Sequence, residues 1–187
     1  MARTRSFTTA DAVRAARDQF WEHGYEATSL ADLERVTGLN RSSIYQAFGS
    51  KQQLFALAVE SYLAEVAVPR LSALEAPGAG IDQVVEYLES LAAAMAGTPA
   101  PLARRGCLIV NTITERAAHD ADAHTVGIAY RDRLLRAFAG ALPPETAAHR
   151  AELLTGSVIA VLVTARLTPA AAATLARAAA IEARTWR

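Results

Sequence analysis

The chain has one cysteine among 187 residues, Cys107, so an intrachain disulfide is impossible and a cysteine-based zinc knuckle is excluded. No run approaches the roughly 18 uncharged apolar residues of a transmembrane helix. Met1-Ala2-Arg3-Thr4-Arg5 leads into an amphipathic pattern rather than the apolar core of a signal peptide, so a cytoplasmic chain with no membrane partner is expected. Net charge is also missing. Nineteen basic residues balance nineteen acidic ones, which argues against a protein that simply coats nucleic acid or anionic lipid. Ile, Val, Tyr and Thr nowhere alternate with polar residues over a long stretch, so strands are not expected. There is no Gly-rich phosphate loop, nucleophile elbow or metal-ligand pair at a diagnostic spacing. Neither catalysis, a cofactor nor a bound metal is therefore expected.

What is present is alanine and helical periodicity. Apolar residues make up 52% of the chain, enough for a packed core rather than a disordered segment. Alanine has the highest helix propensity and leaves thin side chains between close helices. An all-α fold follows. The first helix opens at Thr8 or Thr9, with Asp11 in its first turn and Val13, Ala16 and Phe20 on one face, and Gly24 stops it. Ser29 with Asp32 resembles a capping box opening a short helix that carries Leu30, Leu33 and Val36 and ends at Gly38. Asn40 caps a third helix anchored by Ile44 and Phe48. Ser50 starts a fourth that bears Leu54, Phe55, Ala58, Val59, Tyr62 and Val66 and is limited by Pro69. Later helices are expected over about 84–95, 103–118, 123–141, 144–167 and 169–186, separated by Pro- and Gly-containing loops. Leu175, Ile181 and Trp186 give the alanine-rich tail an apolar face.

Two short helices joined through Thr37-Gly38-Leu39-Asn40 have the spacing of a DNA-reading helix-turn-helix spanning Ser29 to Phe48. At about 100° per residue, Ile44 and Phe48 share one face of the second helix and Ser42 and Gln46 lie opposite, with Ser43 and Tyr45 on the flanks. No acidic residue occurs from Arg35 through Val59, while Arg35, Arg41 and Lys51 fall in that window and Arg3 and Arg5 form a short basic arm. That local field suits double-stranded DNA. Gln46 can pair with adenine and Ser42 can approach a base edge; Arg41 reaches either a guanine or a phosphate. Ser43, Tyr45 and Lys51 are placed for phosphates. The competing reading is a tight connection in a helical protein-interaction or small-molecule-binding module without DNA binding.

The segments Gly24-Tyr25-Glu26-Ala27-Thr28-Ser29 and Thr37-Gly38-Leu39-Asn40-Arg41-Ser42-Ser43-Ile44-Tyr45-Gln46-Ala47-Phe48-Gly49-Ser50-Lys51 resemble the signature of TetR/AcrR-type transcriptional regulators. The resemblance covers about residues 7–60. It departs at Gln46 and Ala47, where the family often has Tyr and His. It implies that Tyr45 and Lys51 grip phosphates, and that Thr28 or Ser29 does so at the preceding helix start. It further implies a helix-turn-helix domain, here 1–52, followed by a helical domain, 53–187, that binds a small-molecule effector and forms a homodimer through its last two long helices. The function implied is a repressor that binds a palindromic operator and releases it when the effector binds.

The dimer helices would carry Leu153, Leu154, Val158, Val161 and Leu162, then Leu175, Ala178, Ala179 and Ile181. Candidate effector-binding residues are Tyr62, Tyr87, Leu91, Met95, Cys107, Leu108, Asn111, Thr112, Glu115, Tyr130 and Leu134. Asn111, Thr112 and Glu115 stand out because a polar group facing a core needs a partner. Cys107 admits two readings: a thiol made reactive by Arg104 and Arg105, or a small buried hydrophobe. Glu115, His119, Asp120, Asp122 and His124 are read as solvated helix-end and loop charges rather than metal ligands.

Overall fold

The computed structural model describes residues 8–186, and no strand occurs among them. The basic arm at Arg3 and Arg5 lies outside the described residues. The chain divides into two compact units, the first ending at Ala67 and the second beginning at Val68.

In the first unit α1 (Thr9–His23) opens on a capping box: the Thr8 hydroxyl accepts from the Asp11 amide, and the Asp11 carboxylate accepts from the Thr8 amide. Ala12, Ala16, Gln19 and Phe20 face the core, rather than the expected Val13. α2 (Leu30–Thr37) opens on a second capping box, Ser29 with Asp32, and ends at Gly38 in the left-handed conformation. α3 (Arg41–Phe48) is capped by Asn40, which accepts from the Ser43 amide at 2.8 Å. α4 (Lys51–Tyr62) packs on α1 within this unit, although its sequence position assigns it to the domain after residue 52. Phe20 meets Phe55 edge-on at 5.0 Å, and Trp21 meets Tyr62 edge-on at 4.8 Å. Such aromatic pairs add about 0.5–1.5 kcal/mol beyond area burial.

Pro69 does not end the helical backbone as expected. A π-helical segment over Leu63–Ala67 precedes α5 (Val68–Leu71), which contains the proline. Proline lacks an amide donor and its ring clashes with the carbonyl four residues back. One wider turn just before it relieves both, so the helical path continues.

The second unit holds α6 (Ile81–Gly97), α7 (Ala100–Ala103), α8 (Leu108–Arg116), α9 (Ala121–Gly140), α10 (Pro144–Leu167) and α11 (Pro169–Arg184). Of the expected helix over 103–118, a single helix forms, α8, because residues 104–107 are a turn after α7. Gly106 at φ 61° and an extended Cys107 precede it, and a Cβ at Gly106 would sit 2.7 Å from the Leu162 carbonyl oxygen. α11 packs chiefly on α6 and also on α10. The face it buries is Ala172, Ala173, Ala176, Ala180 and Ala183, while Leu175 and Ile181 are exposed. Methyl side chains let helix backbones approach where leucine would hold them apart, so the alanine face packs inward and the apolar face expected from Leu175 and Ile181 is left outward.

Candidate nucleic-acid interface

α3 is oriented by what it buries. Ile44 is fully buried and Phe48 nearly so, whereas Arg41, Ser42, Tyr45 and Gln46 are exposed and Ser43 is half-buried. Asn40 locks the entry, accepting from both the Ser43 amide and the Ser42 hydroxyl, the latter at 2.7 Å. The Arg41 guanidinium lies 5.9 Å from the centre of the Tyr45 ring. Ser43 and Gln46 share a shallow groove of about 250 Å³ with Thr8, Thr9 and Leu39.

Lys51, the only lysine in the chain, opens α4 with its ammonium 4.2 Å from the centre of the Tyr25 ring. Tyr25 in turn packs edge-on against Phe55 at 5.0 Å, so the ring that receives the cation is itself held by the core. Cation–π attraction of this kind is worth about 0.5–1 kcal/mol at exposed sites. Tyr25 carries no role in the sequence pattern beyond its place in the Gly24-to-Ser29 motif. The signal that could identify it is an aromatic directly after the glycine that ends α1.

The structure separates Thr28 from Ser29. Thr28 is 0% exposed and its hydroxyl donates to the Gly24 carbonyl at 2.7 Å, so that hydroxyl is spent inside the protein. Ser29 is exposed at the start of α2, where its hydroxyl donates to the Asp32 carboxylate at 2.6 Å and accepts from the Asp32 amide. That hydroxyl, the Arg35 guanidinium and the Ser29 amide together hold the Asp32 carboxyl well below the ordinary aspartate range.

The acid-free window is not acid-free in space. The Glu34 carboxylate, one residue before the window, accepts from the Arg41 amide at 2.6 Å and sits at the N-terminus of α3. Arg35 pairs with Asp32 at 3.0 Å. Arg41 lies on the exposed face of α3 itself, and Lys51 opens the next helix.

The candidate effector residues divide between the units. Tyr62 belongs to the first, against Trp21. In the second, Tyr87, Leu91, Met95, Cys107, Leu108, Thr112, Tyr130 and Leu134 are buried, with Asn111 and Glu115 half-buried. Tyr87 meets Phe138 edge-on at 5.6 Å, and burial pushes its phenol far above the ordinary tyrosine value. Thr112 donates to the Leu108 carbonyl at 2.8 Å and Asn111 to the Arg105 carbonyl at 2.9 Å, so both polar groups already have backbone acceptors. Cys107 is buried at the start of α8. Asp120 caps α9 and pairs with Arg116, and no cluster of three or more His, Cys, Asp or Glu suited to a metal occurs among the described residues. No helix among them is long and apolar enough to cross a membrane.

Residues 12–58 match the family model for bacterial regulatory proteins of the tetR family. The HTH-type transcriptional regulator YezE of Bacillus subtilis is 35% identical over 120 residues, 64% of this chain and 60% of YezE, so the match spans less than two thirds of that relative. The HTH-type transcriptional repressor ComR of Escherichia coli is 29% identical over 175 residues, covering 88% of this chain and 82% of ComR. Among solved structures, a cysteine mutant of the TetR family regulator CifR complexed with a 26-bp operator duplex aligns over the full length of both chains, with a TM-score of 0.79 and 26% identity.

Proposed function

The chain belongs to the TetR family of bacterial regulatory proteins, and from that premise we propose that it represses transcription as a homodimer on a palindromic operator and releases the DNA when a small molecule binds its second unit. It is a regulator, not an enzyme. The observation that carries this reading is the exposed face of α3, where Arg41, Ser42, Tyr45 and Gln46 stand opposite the buried anchors Ile44 and Phe48. An eight-residue helix presenting small polar groups fits the major groove of B-DNA.

In this reading Ser42 and Gln46 meet base edges and Arg41 meets a base or a phosphate. Ser43, Tyr45, Lys51 and the exposed start of α2 at Ser29 hold the backbone. The Ser50 hydroxyl caps the Gln53 amide, and the positive end of the α4 dipole adds to the phosphate site around Lys51. One recognition helix reads few bases, so a symmetric pair is needed for a specific site. The surface that pairs two chains is the apolar face left open on α10 and α11, where Leu153 is 50%, Leu167 75% and Ile181 60% exposed. The effector contacts lie among the buried residues of the second unit, with Tyr87, Met95, Asn111 and Tyr130 as the principal candidates. Release follows only if the effector favours a different spacing of the two recognition helices.

Fluorescence anisotropy with duplex DNA from beside the protein's own gene tests this. The expected result is an affinity that falls linearly with salt on logarithmic axes, and that Tyr45→Ala and Lys51→Ala each weaken. A tight, specific complex untouched by both substitutions would remove α3 and α4 from the interface. Constant occupancy with every compound that binds would remove the induction step.

A further inference from the structure

The second unit carries a groove of about 440 Å³ where the loop before α6 meets the C-terminal half of α9. That volume falls in the range of small-molecule sites. None of the candidate effector residues lines it, and its chemistry differs from theirs. Arg133 donates from Nε to Glu75 Oε1 at 2.6 Å and from Nη2 to Glu75 Oε2 at 2.7 Å, a bidentate pair that fixes the plane of the guanidinium. Two of its five N–H groups are spent this way, and three remain on the outer edge. Arg136, one helical turn along α9, lines the same groove, is exposed and has no ion-pair partner among the described residues.

Glu75 cancels one of the two positive charges, so the groove presents a net single positive charge shared between two guanidinium groups. Ala76, which is exposed, lines the groove with the buried Leu74 and Ala137 beneath, and together they give it an apolar wall. Gly140 lines the end of the groove, and a Cβ built there meets nothing within 4 Å, so the space beside it is open. A bidentate anchor leaves Arg133 pre-oriented, which lowers the ordering cost that an exposed arginine otherwise bears on binding.

We propose that this groove binds a small organic carboxylate, forked by Arg136 and the outer edge of Arg133, with its hydrocarbon part against this apolar wall. A singly charged oxyanion matches the net charge; a doubly charged phosphate leaves one charge uncompensated. The apolar wall favours an anion with a carbon body over an inorganic one.

The test is a titration of the full-length, isotope-labelled protein with sodium benzoate, followed by NMR at the Arg133 and Arg136 Nε–H resonances, with sodium chloride and inorganic phosphate as parallel arms. The proposal expects saturable shifts with benzoate, an affinity reduced about tenfold or more in Arg136→Ala from loss of a charge-assisted contact, and no binding in Gly140→Leu. The glycine variant is the decisive one. A Cβ at this groove-lining position meets nothing within 4 Å, and leucine is a better helix former than glycine, so its melting temperature should hold or rise while the added bulk at the end of the groove removes binding. Shifts that never saturate, shifts that chloride reproduces, a preference for phosphate over benzoate, or full binding by Gly140→Leu would each overturn the assignment.

Discussion

Thr28 and Ser29 are neighbours with opposite fates, and they show how much a single buried hydroxyl decides. Thr28 spends its hydroxyl on the Gly24 carbonyl in the turn between α1 and α2, whereas Ser29 stands at the surface as the cap of α2. Thr28→Val should therefore cost about 1 kcal/mol of stability, the net worth of one intramolecular hydrogen bond, and leave the operator affinity of the folded protein unchanged. Ser29→Ala should cost a similar amount through the lost cap and should also weaken DNA binding. Chemical denaturation alongside anisotropy separates the two. Lys51 offers a second residue-level check because it is the only lysine. Reductive methylation with labelled formaldehyde gives one side-chain resonance, which the Tyr25 ring beneath it should shift upfield and which Tyr25→Leu should return to the ordinary position.

Acid stability follows from the capping and paired carboxylates. Asp11, Asp32 and Glu65 are held below their ordinary values, chiefly by hydrogen bonds from Thr8, Ser29 and Arg17 respectively. Below the ordinary carboxylate values, about 3.9–4.3, the unfolded chain binds more protons than the folded one. Their contribution is therefore complete above that range and is lost as pH falls through the lowered values. Thermal unfolding should be flat from pH 7 to 5 and decline below about 4. These groups are exposed, so the decline should be shallow.

At the scale of elements, the glycines that end helices differ in what surrounds them. Gly38, at φ 69°, closes α2 with open space where a Cβ would go, so Gly38→Ala should cost only the strain of a left-handed alanine, about 1 kcal/mol. Gly106 combines a positive φ with the Leu162 carbonyl oxygen 2.7 Å from its absent Cβ, and Gly106→Ala should be distinctly worse. Equal melting temperatures for the two variants would contradict this contrast.

Elements were legible in the sequence where one local signal decided them. The Ser29 capping box, the Asn40 cap, a first cap at Thr8 or Thr9 (the structure has Thr8) and the outward face of α3 all follow from side chains within one turn of each other. The readings that failed needed a partner from elsewhere. Pro69 looked terminal because the π-helical turn that accommodates it has no composition signal. Which face of α11 another helix covers is not readable from periodicity alone; α6 takes the alanines and leaves Leu175 and Ile181 exposed. The backbone acceptors of the Thr112 hydroxyl and the Asn111 amide, at Leu108 and Arg105, were likewise not visible in the sequence.

For the molecule as a whole, charge and symmetry matter more than any single contact. The total charge is zero, so DNA affinity must come from a local surface. That surface includes a carboxylate, Glu34, whose place at the N-terminus of α3 was not visible in the sequence, because the turn between α2 and α3 brings it there. A sparse cationic face gives a single unit too little affinity and too few bases for a specific site, which is why the repressor reading depends on pairing through the exposed stripe of α10 and α11. Replacing Leu167 and Ile181 together with Glu should leave each chain folded, because both side chains already face solvent, and should convert the protein to a monomer in sedimentation while abolishing specific operator binding.

The most direct test of the account is hydroxyl-radical footprinting of the full-length protein on DNA beside its own gene. Two symmetric protected patches, spaced by one or more turns of about 10 bp and lost in Tyr45→Ala, are the predicted result. A single protected patch, or protection that Tyr45→Ala leaves intact, would contradict the claim that α3 reads DNA as one half of a symmetric pair.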